Sequence, residues 1–322
     1  MRILLWHVHG SWTTAFVQGR HTYLLPVDSE RGPDGLGRAR TWQWPESAVE
    51  VPLERLGETG IDLVVLQRPH EFELVRRLTG RTPGVDLPAV YLEHNTPVGA
   101  VPDTPHPLAG RPGVRIVHVT GFNELFWDCG SSRTAVIEHG VLDSGPLWSG
   151  DRASAAVVVN EPIRRGRSVG TDLLPGFADQ VPLDVFGLDT AGLAGKLGVP
   201  ADRCRCHGEL PQAEMHAEVA RSRVYLHPMR WTSLGLSLIE AMTMAMPVVV
   251  VGATDAARAV PAGAGLVSTS VSELRDAAAR YVRDRDAARE AGALARQGAL
   301  ARYGLGRFLS DWDELIDEEV AR

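Results

Sequence analysis

Aromatic residues are scarce, at 6% of the chain, and basic charge is outnumbered, leaving a formal net charge of -7. These shortages exclude a stacking surface for single-stranded nucleic acid and a global basic field for nucleic acid or an anionic membrane. Cysteine is equally sparse. Cys129, Cys204 and Cys206 form no framework, and an odd count fits reduced thiols. Cys204, Cys206 and His207 lie close in sequence, but a structural zinc site needs a further pair at a fitting spacing, so no metal is expected. No segment approaches the roughly 20 uninterrupted apolar residues of a membrane span, so no transmembrane segment is expected. The opening apolar run stops at His7, too short for an export signal and better read as a buried strand. A cytoplasmic protein is expected.

What the chain does have is enough length, 322 residues, for two ordinary α/β domains, with 44% hydrophobic and 23% charged residues. Short runs of Val, Ile and Leu alternate with helical stretches, the pattern of parallel sheets covered by helices. Strands are predicted at 3–8, 63–66, 89–92, 114–119 and 134–137, then at 155–159, 183–186, 203–206, 224–226 and 247–251. Helices are predicted at 71–78, 172–177, 211–220, 236–244, 271–295 and 309–320. The Gly- and Arg-rich segment 28–40 and the proline-rich segment 97–112 read as exposed loops. The expected division is 1–150, 151–305 and a final helix, 306–322, packing back on the first domain. In such sheets ligands sit beyond the carboxyl ends of the strands, so polar residues directly after strands are the candidates.

One segment is the most informative: His227-Pro228-Met229-Arg230-Trp231-Thr232-Ser233-Leu234-Gly235-Leu236, continuing through Glu240-Ala241-Met242 to Pro247-Val248-Val249. A strand runs into a loop and the loop into a helix, a geometry that offers backbone N–H groups and the positive helix end to an anion. Gly235 lets the backbone approach a phosphate, and Glu240, one turn into the helix, can accept hydrogen bonds from a ribose diol. By position alone Glu240 is also a favourable acid in a first helical turn. The segment resembles the donor-site motif of retaining glycosyltransferase family 4, matching it at Pro228, Arg230, Gly235, Leu236, Glu240, Ala241, Met242, Pro247, Val248 and Val249. The resemblance implies the GT-B architecture, two Rossmann-like doubly wound parallel-sheet domains facing each other across a cleft. It also implies that Glu240 holds the nucleotide ribose while the backbone of Leu234, Gly235 and Leu236 faces the diphosphate. The family's second glutamate would fall at position 232, where this chain has Thr232; Ser233 and Leu234 replace the usual Gly and Phe. Thr232 still offers a hydroxyl to a sugar, without charge.

The loop Ile163-Arg164-Arg165-Gly166-Arg167-Ser168-Val169-Gly170-Thr171-Asp172 corresponds to the family's diphosphate-clamping loop, with Val169 where a lysine is expected. Arg164 is the candidate for the motif arginine, with Arg165 or Arg167 supplying the missing positive charge; taken bare, the loop is also an ordinary solvated basic one. After the strand at 89–92, His94 falls where the family places a histidine beside the reacting sugar. After the first strand, His9, Gly10, Ser11 and Trp12 fall on the acceptor side, Trp12 as a sugar platform or as packing, while His7 is a candidate core residue. His139 neighbours Gly140 at the end of the first domain and is not taken as catalytic. Asp284-Arg285-Asp286 and Asp311-Trp312-Asp313 mimic a metal motif but lie in predicted helices, so a metal-independent reaction without a cofactor is expected.

The resemblance thus implies transfer, with retention, of a sugar from a nucleoside-diphosphate sugar to a hydroxyl acceptor. A GT-B epimerase and a noncatalytic nucleotide-sugar-binding protein are the alternatives, the latter motivated by Thr232 and Val169. A Rossmann dehydrogenase lacks support, since no Gly-x-Gly-x-x-Gly follows the first strand.

Overall fold

Short runs of branched aliphatic residues, buried on both faces, become parallel strands. The computed structural model describes residues 1–322. The chain divides into unit 1, Met1–Val141 with Leu305–Arg322, and unit 2, Leu142–Gly304. Residues 142–150 belong to unit 2 because Trp148 bonds through its N–H groups to Met244 and Ser222, and the Ser149 N–H donates to Ala220.

Unit 1 carries β1 (Arg2–Leu5), β2 (Thr22–Val27), β3 (Ala48–Pro52), β4 (Leu63–Leu66), β5 (Ala89–Glu93), β6 (Val114–His118) and β7 (Thr134–Val136). Their order is β3-β2-β1-β4-β5-β6-β7, every pair parallel. Unit 2 carries β8 (Arg152–Val158), β9 (Leu183–Phe186), β10 (Cys204–Gly208), β11 (Ser222–His227), β12 (Val248–Val251) and β13 (Gly265–Ser268), in the parallel order β10-β9-β8-β11-β12-β13. Each sheet reverses its winding once, between β1 and β4 and between β8 and β11. Crevices for ligands open beyond the carboxyl ends of such paired strands. The loops that follow these four strands contain most of the residues singled out in the sequence.

The sequence pattern misses β2, β3 and β13. In β2 a proline interrupts the apolar run, β3 alternates only weakly, and β13 has four residues, one of them glycine. The single helix predicted at 271–295 is two, Val271–Arg283 and Arg285–Tyr303. Asp284 separates them by taking an extended conformation and accepting the Ala287 N–H at 2.9 Å. The segment 28–40 is no free loop: the Trp6 indole donates to the Asp34 carbonyl at 3.0 Å, and the His7 ring bonds the Gly37 carbonyl at 3.2 Å. The last helix, Leu305–Val320, belongs to unit 1 and buries Trp312 against Trp12 and Phe16.

Unit 2 is pinned by a buried carboxylate on the strand next to one sheet edge. Asp184 on β9 accepts both prongs of Arg205 at 2.9 Å, the Ser154 hydroxyl at 2.5 Å and His207 at 2.8 Å. Burial alone would raise its pKa; the bonds from Arg205, Ser154 and His207 outweigh it and hold it at about 2. Asp184→Asn keeps the shape but strands the cations around it, and urea denaturation should show a loss of about 3 kcal/mol. Because the folded pKa lies below the unfolded value of about 3.9, the carboxylate's contribution is full above that pH and is lost as pH falls toward 2. The variant should therefore lose acid sensitivity in that window.

Candidate active site

In unit 2 the path of the loop after β11 is set by a close approach. A Cβ on Gly235 would lie 2.6 Å from the buried ring of His227, so only glycine lets the chain turn there into the helix Leu236–Thr243. Sequence reasoning assigned that freedom to a phosphate; the nearest group that requires it is this imidazole. Burial lowers the His227 pKa to about 4, so the ring is neutral. Gly235 has no side chain, and the helix start is uncapped. Thr232 lies at the surface margin with its carbonyl accepting from Thr254 at 2.7 Å, while Ser233 and Leu234 are buried.

One turn in, the Glu240 carboxylate is buried among polar partners. One oxygen accepts from the Gln212 amide at 3.2 Å, and the other lies 3.5 Å from Nε2 of His216, whose Nδ1 meets the Ser144 hydroxyl at 2.9 Å. Gln212 and His216 are i and i+4 on the helix Gln212–Val219, a spacing that puts both on one face. That spacing was the available signal for residues the sequence reading did not name.

The loop after β8 is tied to the loop after β11. The Ser168 carbonyl accepts the N–H groups of Arg230 and Trp231 at 2.9 and 3.0 Å. Asp172 binds Arg230 with both oxygens, at 2.5 and 3.0 Å, and also Arg167 at 2.7 Å. Arg230 and Asp172 therefore join the loops, and Arg167 is neutralised. Arg164 is exposed and paired with Glu161, its Nε donating at 2.7 Å. Arg165 differs: it is half-buried and makes no ion pair. Burial, and then the Arg164 charge beside it, lower its pKa. Val169, where a lysine was expected, is buried in the unit 2 core. The chain's single lysine, Lys196, lies on a separate helix, so the cations of these loops are all arginines.

In unit 1, three histidines converge from the ends of β1, β5 and β7. The His9 and His94 ring centroids are 3.8 Å apart, and His94 stacks at 6.2 Å on His139. Burial lowers the pKa of His9 to about 4, helped by Arg68, and that of His139 to about 3, helped by His9; His94 falls well below its ordinary value. The cluster is neutral at physiological pH. Its tautomer follows from Gln67, just past β4. The Gln67 amide nitrogen donates to the Trp6 carbonyl at 2.9 Å, so its oxygen, 3.3 Å from Nε2 of His94, must accept. His94 therefore carries its proton on Nε2 and leaves Nδ1 as an acceptor. Gly10 and Ser11 open the helix Gly10–Phe16 and are partly exposed. Trp12 is a correction: fully buried between Phe16, Trp312 and the edge of His94, it supports the histidine from behind and offers no face to a sugar.

Residues 178–284, within unit 2, match the family model described as Glycosyl transferases group 1. No curated relative matches the sequence. Among solved structures, the sucrose-phosphate synthase of Thermosynechococcus elongatus is similar with a TM-score of 0.72 at 15% identity, covering 100% of this chain and 99% of its own. HepE of Anabaena, in complex with UDP, gives a TM-score of 0.70 at 14% identity over 98% and 99% of the two chains. The same protein in complex with UDP-glucose gives 0.67 at 15% over 99% and 100%. Two parallel-sheet α/β units with these neighbours define the GT-B fold.

Since the folded pKa of His139 lies below the unfolded value of about 6.5, the unfolded chain takes up the proton first as pH falls. Its contribution is full above pH 6.5 and declines toward pH 3, by up to about 1.4 kcal/mol per pH unit. Urea midpoints of His139→Gln should fall less steeply than those of the wild type between pH 6.5 and 4.

Proposed function

We propose that the protein is a glycosyltransferase that moves a sugar from a nucleoside-diphosphate donor to a hydroxyl acceptor, with retention and without a metal. The single observation that carries this reading is the pairing, in unit 2, of an uncapped helix start with an unpaired, half-buried guanidinium on the loop hydrogen-bonded beside it. Both suit an anion, and both lie at the carboxyl ends of the strands where the sheet reverses. Glu240, one turn in, keeps lone pairs on both oxygens for the hydroxyls of a pentose. The match to Glycosyl transferases group 1 covers this helix, and HepE, similar in fold, is known in complex with UDP and UDP-glucose.

In this reading Gly235 and Leu236 present N–H groups to the diphosphate, and Arg165 neutralises charge that grows on it as the glycosidic bond breaks. Arg164 and Arg167 join only by leaving Glu161 and Asp172. Thr232 and Ser233 are the donor-sugar candidates, and the uncharged Thr232 sets this donor pocket apart from the family's usual glutamate. In unit 1, Nδ1 of His94 accepts from a sugar hydroxyl, with His9, Gly10 and Ser11 toward the acceptor. A nucleotide-sugar-binding protein without turnover is the second reading, favoured by Thr232 and by the ion-paired state of Arg164.

A thermal-shift panel of UDP, GDP, ADP and dTDP with their sugars should give stabilisation by at least one nucleotide, abolished in Glu240→Ala. Arg165→Gln should weaken diphosphate binding at least tenfold, about 1.4 kcal/mol, and leave nucleoside binding unchanged; Arg164→Ala should weaken it less. Absence of any nucleotide effect on the wild type would refute the reading, and binding without turnover on a broad hydroxyl acceptor panel would favour the second.

A further inference from the structure

Segment 28–44 does more than cover the sheet. It is fixed to unit 1 by the Trp6 and His7 bonds already described and by the Trp44 indole, which donates to the Thr14 hydroxyl at 2.8 Å. The Trp42 ring lies directly on Gly10, with a built Cβ only 2.3 Å from it, so the segment abuts the residues next to His9 and Ser11. The segment itself, with His7, forms a cavity of about 300 Å³ lined by Arg31, Arg38, Arg40, Leu36, Thr41 and Ala39 and by no carboxylate.

The arginines differ in what holds them. Arg31 is bidentate to Glu50 at 2.7 and 3.1 Å, with Asp28 also acting on it. Arg38 directs its guanidinium to the carbonyls of Trp44, Pro45 and Ala48 at 2.6, 3.1 and 2.5 Å, which orients it, and shares with Arg31 the one carboxylate of Glu50, which accepts the Arg38 backbone N–H at 2.8 Å. Arg40 is exposed and makes no ion pair. The cavity wall thus carries cationic charge in excess of the carboxylates that reach it. A volume of this size, at the lower end for small-molecule sites, takes a phosphate or carboxylate with a few attached carbons.

We propose that this cavity binds an anionic group of the acceptor, making the acceptor a hydroxyl compound that carries a phosphate or a carboxylate. Arg40 supplies the free charge, Arg38 the fixed one, and Thr41 a hydroxyl. The inference rests on the reading of unit 1 as the acceptor side, and it adds the acceptor's chemical class to that reading.

The test is calorimetric titration of the full chain with glycerol 3-phosphate, glycerate and glycerol. One of the anionic probes should bind at least tenfold more tightly than glycerol and lose affinity as sodium chloride is raised. Whichever anion binds names the group. Arg40→Gln and Thr41→Glu should each weaken that binding about tenfold or more, Arg40→Lys should recover part of it, and nucleotide binding should be unchanged in all three. Glu240→Ala should keep the anionic probe while losing the nucleotide, which separates failure of the cavity from failure of the donor site. Equal binding of anionic and neutral probes, or wild-type affinity in Arg40→Gln, would overturn the proposal. So would nucleotide binding that survives Glu240→Ala and vanishes in Arg40→Gln, since the cavity would then be a donor site.

Discussion

A glycine pressed against a buried, neutral histidine fixes the geometry on which unit 2 depends. Gly235 has no room for a side chain beside His227, so the chain leaves β11 and enters the helix Leu236–Thr243 along one tight path. Two consequences follow from that packing. The helix begins without a side-chain cap on its first N–H groups. The helix is also held in the register that brings Glu240 against Gln212 and His216. A glycine that looks like a ligand-contact residue in sequence thus acts first through the protein's own core, and the proposed anion site is what the core leaves open.

Charge pairing sorts the arginines of the site. Three of them follow β8 within four positions, and composition gives no reason to prefer one. In the folded chain Glu161 holds Arg164 and Asp172 holds Arg167, while Asp172 also clamps Arg230 and so ties the loops together. Arg165 alone is left desolvated and unpaired, the state in which a guanidinium gains most from a phosphate. Unit 1 follows the opposite strategy. Its histidines are crowded, His139 buried and His9 and His94 partly exposed, and burial and neighbouring charge disfavour their protons, so the cluster is neutral and, in the proposed reading, offers donors and acceptors to a polar substrate.

Much of this was legible from the sequence, and the parts that were not have physical causes. Central strands such as Leu63–Leu66 and Val248–Val251 read directly, because burial on both faces demands unbroken aliphatic runs. Thr22–Val27 and Gly265–Ser268 did not, since a proline and a glycine mask their pattern and only pairing with a neighbour makes them strands. The break at Asp284 was missed because both flanking helices continue the same amphipathic period. In the site, the motif around Gly235 and Glu240 was visible as a motif, but the pairing of Arg164 and the burial of Trp12 are tertiary facts. Segment 28–40 is a loop, as its composition suggests, but its attachment is a tertiary fact too: the Trp6 indole bonds the Asp34 carbonyl, and just beyond the segment Trp44 bonds Thr14 at long range.

The most direct measurement is a crystal structure of the protein with a bound nucleoside diphosphate. The account predicts pentose hydroxyls within hydrogen-bond distance of Glu240, phosphate oxygens at the N–H groups that begin the helix Leu236–Thr243, and the Arg165 guanidinium turned onto them. A nucleotide bound elsewhere on the chain, with Glu240 contacted only by Gln212 and His216, would contradict it.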